Sequence, residues 1–135
     1  MNAKKVSNSA ILVNGIIGGV AASILNVAIY YISRAMDVSF VLPPKTSGEL
    51  PLDLHPFGII FASMVPAIGA LLLLMLLNRT TRKPFMILVI ISVIVLAISV
   101  YPLTLELTWA SRISMGIMHI VAAVSILWAL RTSYK

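Results

Sequence analysis

The 135-residue sequence predicts an all-α integral membrane protein, an up-down bundle of four helices with both termini in the cytoplasm. Three observations carry this. Hydrophobic residues make up 60% of the chain and charged residues only 10%, with a mean hydropathy of +1.05. A soluble domain carries about a quarter charged residues, and one this short has no interior able to hide so much apolar surface. The chain also divides into four uncharged runs, between Lys5 and Arg34, Asp53 and Arg79, Lys83 and Glu106, and Arg112 and Arg131, each near the ~20 residues that cross ~30 Å of hydrocarbon. Finally, Lys4, Lys5, Arg79, Arg82, Lys83, Arg131 and Lys135 fall on one side without an acid among them, whereas Arg34, Lys45 and Arg112 share the other side with Asp37, Glu49, Asp53 and Glu106. The positive-inside rule places the first group in the cytoplasm. Residues 1–135 read as one transmembrane domain of the cytoplasmic membrane, crossing it several times, with no internal repeat.

The first run predicts a helix over 10–33. It is continuous, without the alternation of a barrel strand, and a backbone in lipid must satisfy its own hydrogen bonds. Ser33-Arg34-Ala35 has the form of a cleavage site, but the apolar stretch before it is too long for a signal peptide. Lipid is as apolar as leucine, so helices associate in it through small residues and interhelical hydrogen bonds. Asn14, Gly15, Gly18, Gly19, Ala22, Ser23 and Asn26 occupy one half of this helix, and Val13, Ile16, Ile17, Val20, Ile24 and Val27 the other. The first half is the expected contact face. Gly15-x-x-x-Gly19 suits either a homodimer or packing within the chain.

The outer loop, 34–55, contains the helix breakers Pro43, Pro44, Gly48 and Pro51, yet Phe40, Val41, Leu42, Leu50, Leu52 and Leu54 are too apolar for a solvated linker. It is expected to lie across the outer mouth of the bundle. The second helix, 56–78, places Gly58, Ala62, Pro66 and Ala70 at steps of four, which again predicts a packing face. Pro66 removes a backbone donor, should kink the helix and frees a carbonyl near Ala62. The cytoplasmic turn from Asn78 to Pro84 leads into a third helix, 85–102, which is rich in Ile and Val. That helix is expected to be the most exposed to lipid, with Ser92 and Ser99 on one stripe. A turn from Pro102 to Leu107 precedes the fourth helix, 108–130, so helices two, three and four are antiparallel neighbours.

On the fourth helix Arg112, Gly116, His119 and Ala123 share a face. His119 lies roughly 10 Å below Arg112. Asn26, Ser63 and Ser92 fall near the same depth on their own helices, so the five residues Asn26, Ser63, Ser92, Arg112 and His119 form a candidate pocket. Two readings compete for this polar layer. In one, His119 is neutral and hydrogen-bonds Asn26 or a serine as a structural link. In the other, the layer floors an outward-facing pocket, with Arg112 recognising an anionic headgroup or carboxylate and His119 handling a proton. Arg112 has a separate explanation as well, since its stem can snorkel to the headgroups and its guanidinium can pair with Glu106 or a lipid phosphate. Tyr30, Tyr31, Tyr101 and Trp109 on the outer side, with Trp128 and Tyr134 on the inner side, form the expected aromatic belts.

The composition excludes several chemistries. There is no cysteine, hence no disulfide, iron–sulfur cluster, thiolate zinc site or disulfide-linked quinone chemistry. The net charge of +6 resides beside apolar spans, where it meets anionic lipid rather than nucleic acid. His55 and His119 differ in depth by about 10 Å, too much for two ligands of one haem. Asp53 and His55, with Asp37 or Glu49, lack a recognised metal-ligand spacing. No cofactor or metal is expected.

Several motifs together resemble an uncharacterised family of bacterial four-helix integral membrane proteins, a domain of unknown function. These are the glycine-rich first helix with Asn26, the Asn78-Arg79 to Arg82-Lys83-Pro84 turn, Ser99-Val100-Tyr101-Pro102-Leu103, and Met118-His119-Ile120-Val121. The resemblance covers nearly the whole chain and implies four spans without an activity. Small multidrug transporters resemble it only in length and span number, because their embedded first-helix glutamate has no counterpart here. No catalytic signature is present. The expected function is that of a non-catalytic accessory or scaffold subunit or small binding protein, its partners being membrane lipids, another membrane protein or a second copy. The alternative is a small transporter or lipid-binding protein with an outward-facing pocket around Arg112 and His119.

Overall fold

Long uninterrupted apolar runs satisfy their backbone hydrogen bonds internally, and a computed structural model of the chain accordingly consists almost wholly of helix. It describes residues 6–42, 50, 52–100 and 108–134. The elements are α1 (Asn8–Ala35), the two-residue strands β1 (Val41–Leu42) and β2 (Leu52–Asp53), α2 (Pro56–Thr80), α3 (Pro84–Val100) and α4 (Trp109–Thr132). The described helices begin and end within two residues of the expected positions, apart from the expected end at 102, which is not among the described residues. The outer turn from Pro102 to Leu107, the breakers Pro43, Pro44, Gly48 and Pro51, and Glu106 lie outside the described residues.

α1, α2 and α4, with 28, 25 and 24 residues, are long and apolar enough to cross a membrane. α3 is equally apolar but has 17 residues, about 26 Å of helix at 1.5 Å per residue. The four expected spans thus appear as three helices of that length and α3, which is described as far as Val100.

α1 is the central element. It packs along both α2 and α4, while α3 leans on α2 and α4 from the other side, and α2 and α4 touch each other little. The expected small-residue face of α1 is the buried one, with Gly15, Gly18, Gly19, Ala22, Ser23 and Asn26 all buried; Val13, Ile16, Ile17, Val20 and Ile24 are exposed. A Cβ on Gly15 would lie 2.6 Å from Leu71 Cβ, and one on Gly19 2.8 Å from Ala67 Cβ. A Cβ on Gly18 would lie 2.9 Å from Ala129 Cβ and 3.0 Å from Ile126 Cα. Both glycines of the Gly15-x-x-x-Gly19 motif are therefore occupied by α2 of the same chain, and Gly18 by α4.

α2 requires a correction. Its buried face is Ile59, Ser63, Ala67, Leu71, Leu74 and Asn78, one residue, or about 100°, round from the expected Gly58, Ala62, Pro66 and Ala70 stripe. Ala62 and Pro66 are exposed, and a Cβ on Gly58 would make only ordinary contact with Leu54, at 3.9 Å. The glycines of α1 receive Leu71 and Ala67, and that pairing sets the rotation of α2.

Polar side chains tie the two ends of the helices. At one end Asn78 Nδ2 donates to the Val6 carbonyl (2.8 Å) and Asn14 Nδ2 to Ser133 Oγ (2.9 Å), so both ends of the described chain lie together. At the other end Ser33 and Ser114 hydroxyls meet at 3.1 Å, and Ser111 Oγ donates to the Ser39 carbonyl. α1 closes there with Val38 N–H on the Ser33 carbonyl and Asp37 N–H on that of Arg34, with Asp37 at φ 59. This is the Schellman arrangement, with aspartate in the left-handed position that glycine usually fills. Thr108 Oγ1 caps α4 by accepting from Ser111 N–H, and Pro56 opens α2 at a position where its missing donor costs nothing.

Candidate functional site

α2 and α4 are each held against α1, so they diverge on the side away from it, and α3 bridges the opening without filling it. Only Leu88 of α3 is fully buried. The result is a cavity of about 650 Å³ that is open along one side, where its lining residues Ala62, Pro66, Gly69 and Val95 are exposed. α2 contributes Ile59 to Leu73, α3 Leu88 to Ser99, and α4 Met115 to Leu127, with Asn26 the sole contribution of α1. At 1.5 Å per residue these stretches make walls roughly 16–21 Å long.

The apolar loop behaves as expected of a cover over one end. Phe40, with none of its surface exposed, joins Tyr30, Val38, Ile59 and Met118 in a small core, and Phe40, Leu42 and Leu54 line the cavity. Two devices not evident in the sequence hold this segment down. One is the antiparallel pairing of Val41 with Asp53 and Leu42 with Leu52. The other is a pair of bonds at Leu54, whose N–H donates to the Phe40 carbonyl (3.1 Å) while its carbonyl accepts from Tyr30 Oη (2.9 Å). Two residues per strand give no alternation from which to read a hairpin. Arg34 and Asp53 add an ion pair at 3.2 Å on the outside.

Four of the five candidate pocket residues, Asn26, Ser63, Ser92 and His119, line this one cavity. Arg112 does not. α4 enters the wall only from Met115 onward, and the Ser39–Phe40 segment is docked on Ser111 at the level where Arg112 leaves the helix. The Arg112 guanidinium lies 5.8 Å from the Trp109 ring centre, and its buried Nε has no hydrogen-bond partner among the described residues. The pocket is therefore built around His119 and Asn26 without Arg112.

Within the site, Asn26 Nδ2 donates to Ser63 Oγ (3.0 Å), and Ser63 Oγ donates to the Ile59 carbonyl (2.9 Å). His119 bonds neither Asn26 nor a serine, as the structural reading had it, but places Nδ1 2.8 Å from the carbonyl of Met115, one turn earlier on its own helix. Ser99 Oγ likewise turns back to the Leu96 carbonyl (2.8 Å). Asn26 Oδ1 is buried without a partner among the described residues. The small residues of α2 missed as a contact face, Ala62, Pro66 and Ala70, reappear here as cavity wall together with Gly69. Pro66 has no N–H to give the Ala62 carbonyl. No Asp, Glu, Lys or Arg lines the cavity among the described residues, so the arrangement can hold a molecule by apolar contact and a few neutral hydrogen bonds.

No curated protein and no solved structure matches the chain. A family model does match, over residues 6–135, and the chain belongs to that family, which is described as a family of unknown function (DUF6069).

Proposed function

We propose that this is a four-span protein of the cytoplasmic membrane that holds a lipid or lipid-like amphiphile within its helices and does not transform it. The observation that carries this reading is the cavity itself. Its volume, about 650 Å³, falls in the ~300–1,000 Å³ range of small-molecule sites, and its mostly apolar wall with a few placed polar groups is the usual lining of such sites. Among the described residues the wall carries no carboxylate, lysine or arginine, and His119 is its one side chain of the acid–base kind. Membrane orientation follows from the cations. Arg79, Arg82, Lys83 and Arg131 gather at the end where Val6 and Ser133 lie, whereas Arg34 and Arg112 share the other end with Asp37 and Asp53. Both termini are then cytoplasmic, and the loop that covers the cavity faces outward.

Native mass spectrometry from mild detergent tests the reading. The protein is expected to retain one lipid-sized adduct. Ala123→Phe, which puts a ring on the cavity wall away from the α1 seams, is expected to lose it while remaining folded. A bare protein mass, or an adduct that survives Ala123→Phe, refutes the cavity as the binding site.

A further inference from the structure

The cavity is covered at both ends and open at its flank. At the outer end the Ser39–Leu42 segment closes it, held there by Ser111 Oγ on the Ser39 carbonyl and by the Leu54 N–H on the Phe40 carbonyl. At the inner end Leu88 of α3, 1% exposed, packs into one core with Leu74 and Ile126. One heptad further along α3, Val95 points nearly the same way as Leu88, because seven residues bring a helix almost back to one direction. Val95 also lines the cavity, yet it is 55% exposed. α3 is therefore seated on the bundle at Leu88 and stands off it at Val95. The facing rim belongs to α2, where Ala62, Pro66 and Gly69 line the cavity and are exposed, and a Cβ on Gly69 would meet nothing within 4 Å.

With the helices spanning as proposed, this mouth opens into hydrocarbon rather than water. Pro66 lies ten residues inside the start of α2 and Val95 eleven inside the start of α3. That is roughly 15–17 Å from opposite ends of two antiparallel helices, near the middle of a ~30 Å hydrocarbon layer. The ends of acyl chains stand at that depth, and the wall complements them. Among the described residues it carries no Asp, Glu, Lys or Arg. Most of its polar side chains are already engaged within the protein: Asn26 Nδ2 donates to Ser63 Oγ, the Ser63 and Ser99 hydroxyls donate to carbonyls of their own helices, and His119 Nδ1 donates to the Met115 carbonyl. A charged lipid head taking this route would first leave the interface for the bilayer centre, where charge is costly, and would then find no countercharge. A chain end meets neither obstacle.

We propose that the cavity takes one acyl chain of a surrounding bilayer phospholipid, which enters tail first between α2 and α3 while its head stays at the interface. This rests on the cavity reading above and adds to it the route and the part of the lipid that is bound. The test uses the full-length protein in phosphatidylcholine vesicles doped with phosphatidylcholine that carries a photoreactive diazirine either at the end of one acyl chain or on the headgroup, with labelled residues read by tandem mass spectrometry. Met115 and His119 report the interior, because they line the cavity on the side of α4 away from its exposed Ile113, Ile117 and Val124. The chain-end probe labels them and the headgroup probe does not. Gly69→Phe, and separately Ala62→Phe, place a ring in the mouth; labelling of Met115 and His119 is then lost, while that of the exposed Ile17 and Ile24 on α1 persists and shows the bundle intact. Interior labelling undiminished in both variants overturns the lateral route, and interior labelling by the headgroup probe overturns the tail-first occupant; either result leaves the cavity reading standing. Should both variants fail to fold, the contrast between the two probes on the unaltered protein decides alone. If neither probe reaches Met115 or His119 the inference falls, and the mass measured from mild detergent then separates the two readings: a retained adduct leaves the cavity with another occupant, and a bare protein mass removes both.

Discussion

Gly15→Ala and Gly69→Ala make the same chemical change in two helices, and the structure assigns them opposite signs. A Cβ at Gly15 would stand 2.6 Å from Leu71 Cβ and 2.8 Å from its Cδ2, whereas at Gly69 nothing lies within 4 Å. Carbon atoms pack best at ~3.5–4.0 Å, so the α1–α2 seam must open by about 1 Å to admit the first methyl. Leu71 Cβ is fixed to its backbone and cannot swing aside. Overpacking of this kind costs ~1–3 kcal/mol, against a gain of ~0.5–1 kcal/mol from replacing a helical glycine. The gain is common to both variants and cancels between them. Gly15→Ala is expected to lie ~1–3 kcal/mol below Gly69→Ala. Unfolding by SDS in mixed micelles, followed by helical circular dichroism, measures the difference. Two variants of equal stability would refute the α1–α2 seam. A Gly15→Ala that unfolds normally but changes the association of protomers would show the motif to be a dimer contact instead.

Three further outcomes follow from single contacts. A double-mutant cycle on Asn26→Ala and Ser63→Ala should give a coupling near ~0.6 kcal/mol and below ~1.7, the range for interhelical hydrogen bonds in membranes; no coupling would mean that the two do not meet. Arg34 and Asp53 are paired at 3.2 Å, but their side chains are 40% and 44% exposed, so Arg34→Ala should change stability by less than ~1 kcal/mol, with the effect fading in salt. Tyr134, beyond the end of α4 and packed on Phe85 with ring centres 5.9 Å apart, has its phenol pushed up by burial, and its hydroxyl has no partner among the described residues. The sign follows from linkage: its contribution is complete below the unfolded value of 10.0 and is lost as pH rises through the higher folded value. Tyr134→Phe should therefore cost little at neutral pH and reduce the alkaline loss of stability, and the Tyr134 phenol should titrate above the ordinary value of 10.0; ionisation at that value would contradict it.

What the sequence revealed divides along a physical line. The contact face of α1 was legible because association in lipid selects small residues, and Gly15, Gly18, Gly19, Ala22 and Ser23 stand on one half of that helix and are buried there. The depth of the polar layer was legible from rise per residue, and Asn26, Ser63, Ser92 and His119 do line one cavity. The side of α2 that meets α1 was not. Two stripes at similar spacing compete on that helix, one through Ala62, Pro66 and Ala70 and one through Ser63, Ala67 and Leu71. Small residues alone favour the first. The deciding feature is complementarity across the seam, where glycines on α1 have room for larger partners, and no single helix displays that. The partner of His119 was misread for a related reason, since an acceptor one turn back on its own helix competes with any acceptor across the cavity.

The same competition explains why a hollow persists in so small a chain. Helices in lipid gain nothing from hiding apolar surface as such; they gain from close contact and hydrogen bonds. α1 offers α2 and α4 a glycine-lined approach, reinforced by Asn26 on Ser63 and by the Ser23 hydroxyl, whose one proton is shared between the Gly19 carbonyl of its own helix (2.8 Å) and the Ile60 carbonyl of α2 (3.4 Å). α3 has no glycine, and its two interior serines make no bond to another helix among the described residues. It therefore has no means of pulling α2 and α4 together over itself. The turn of Thr81, Arg82 and Lys83 ties it to α2, Leu88 anchors it, and the space beside Pro66, Gly69 and Ala123 remains for something other than protein. Closing that space would take a small-residue face on α3, and the Ile- and Val-rich sequence from Pro84 to Val100 does not have one.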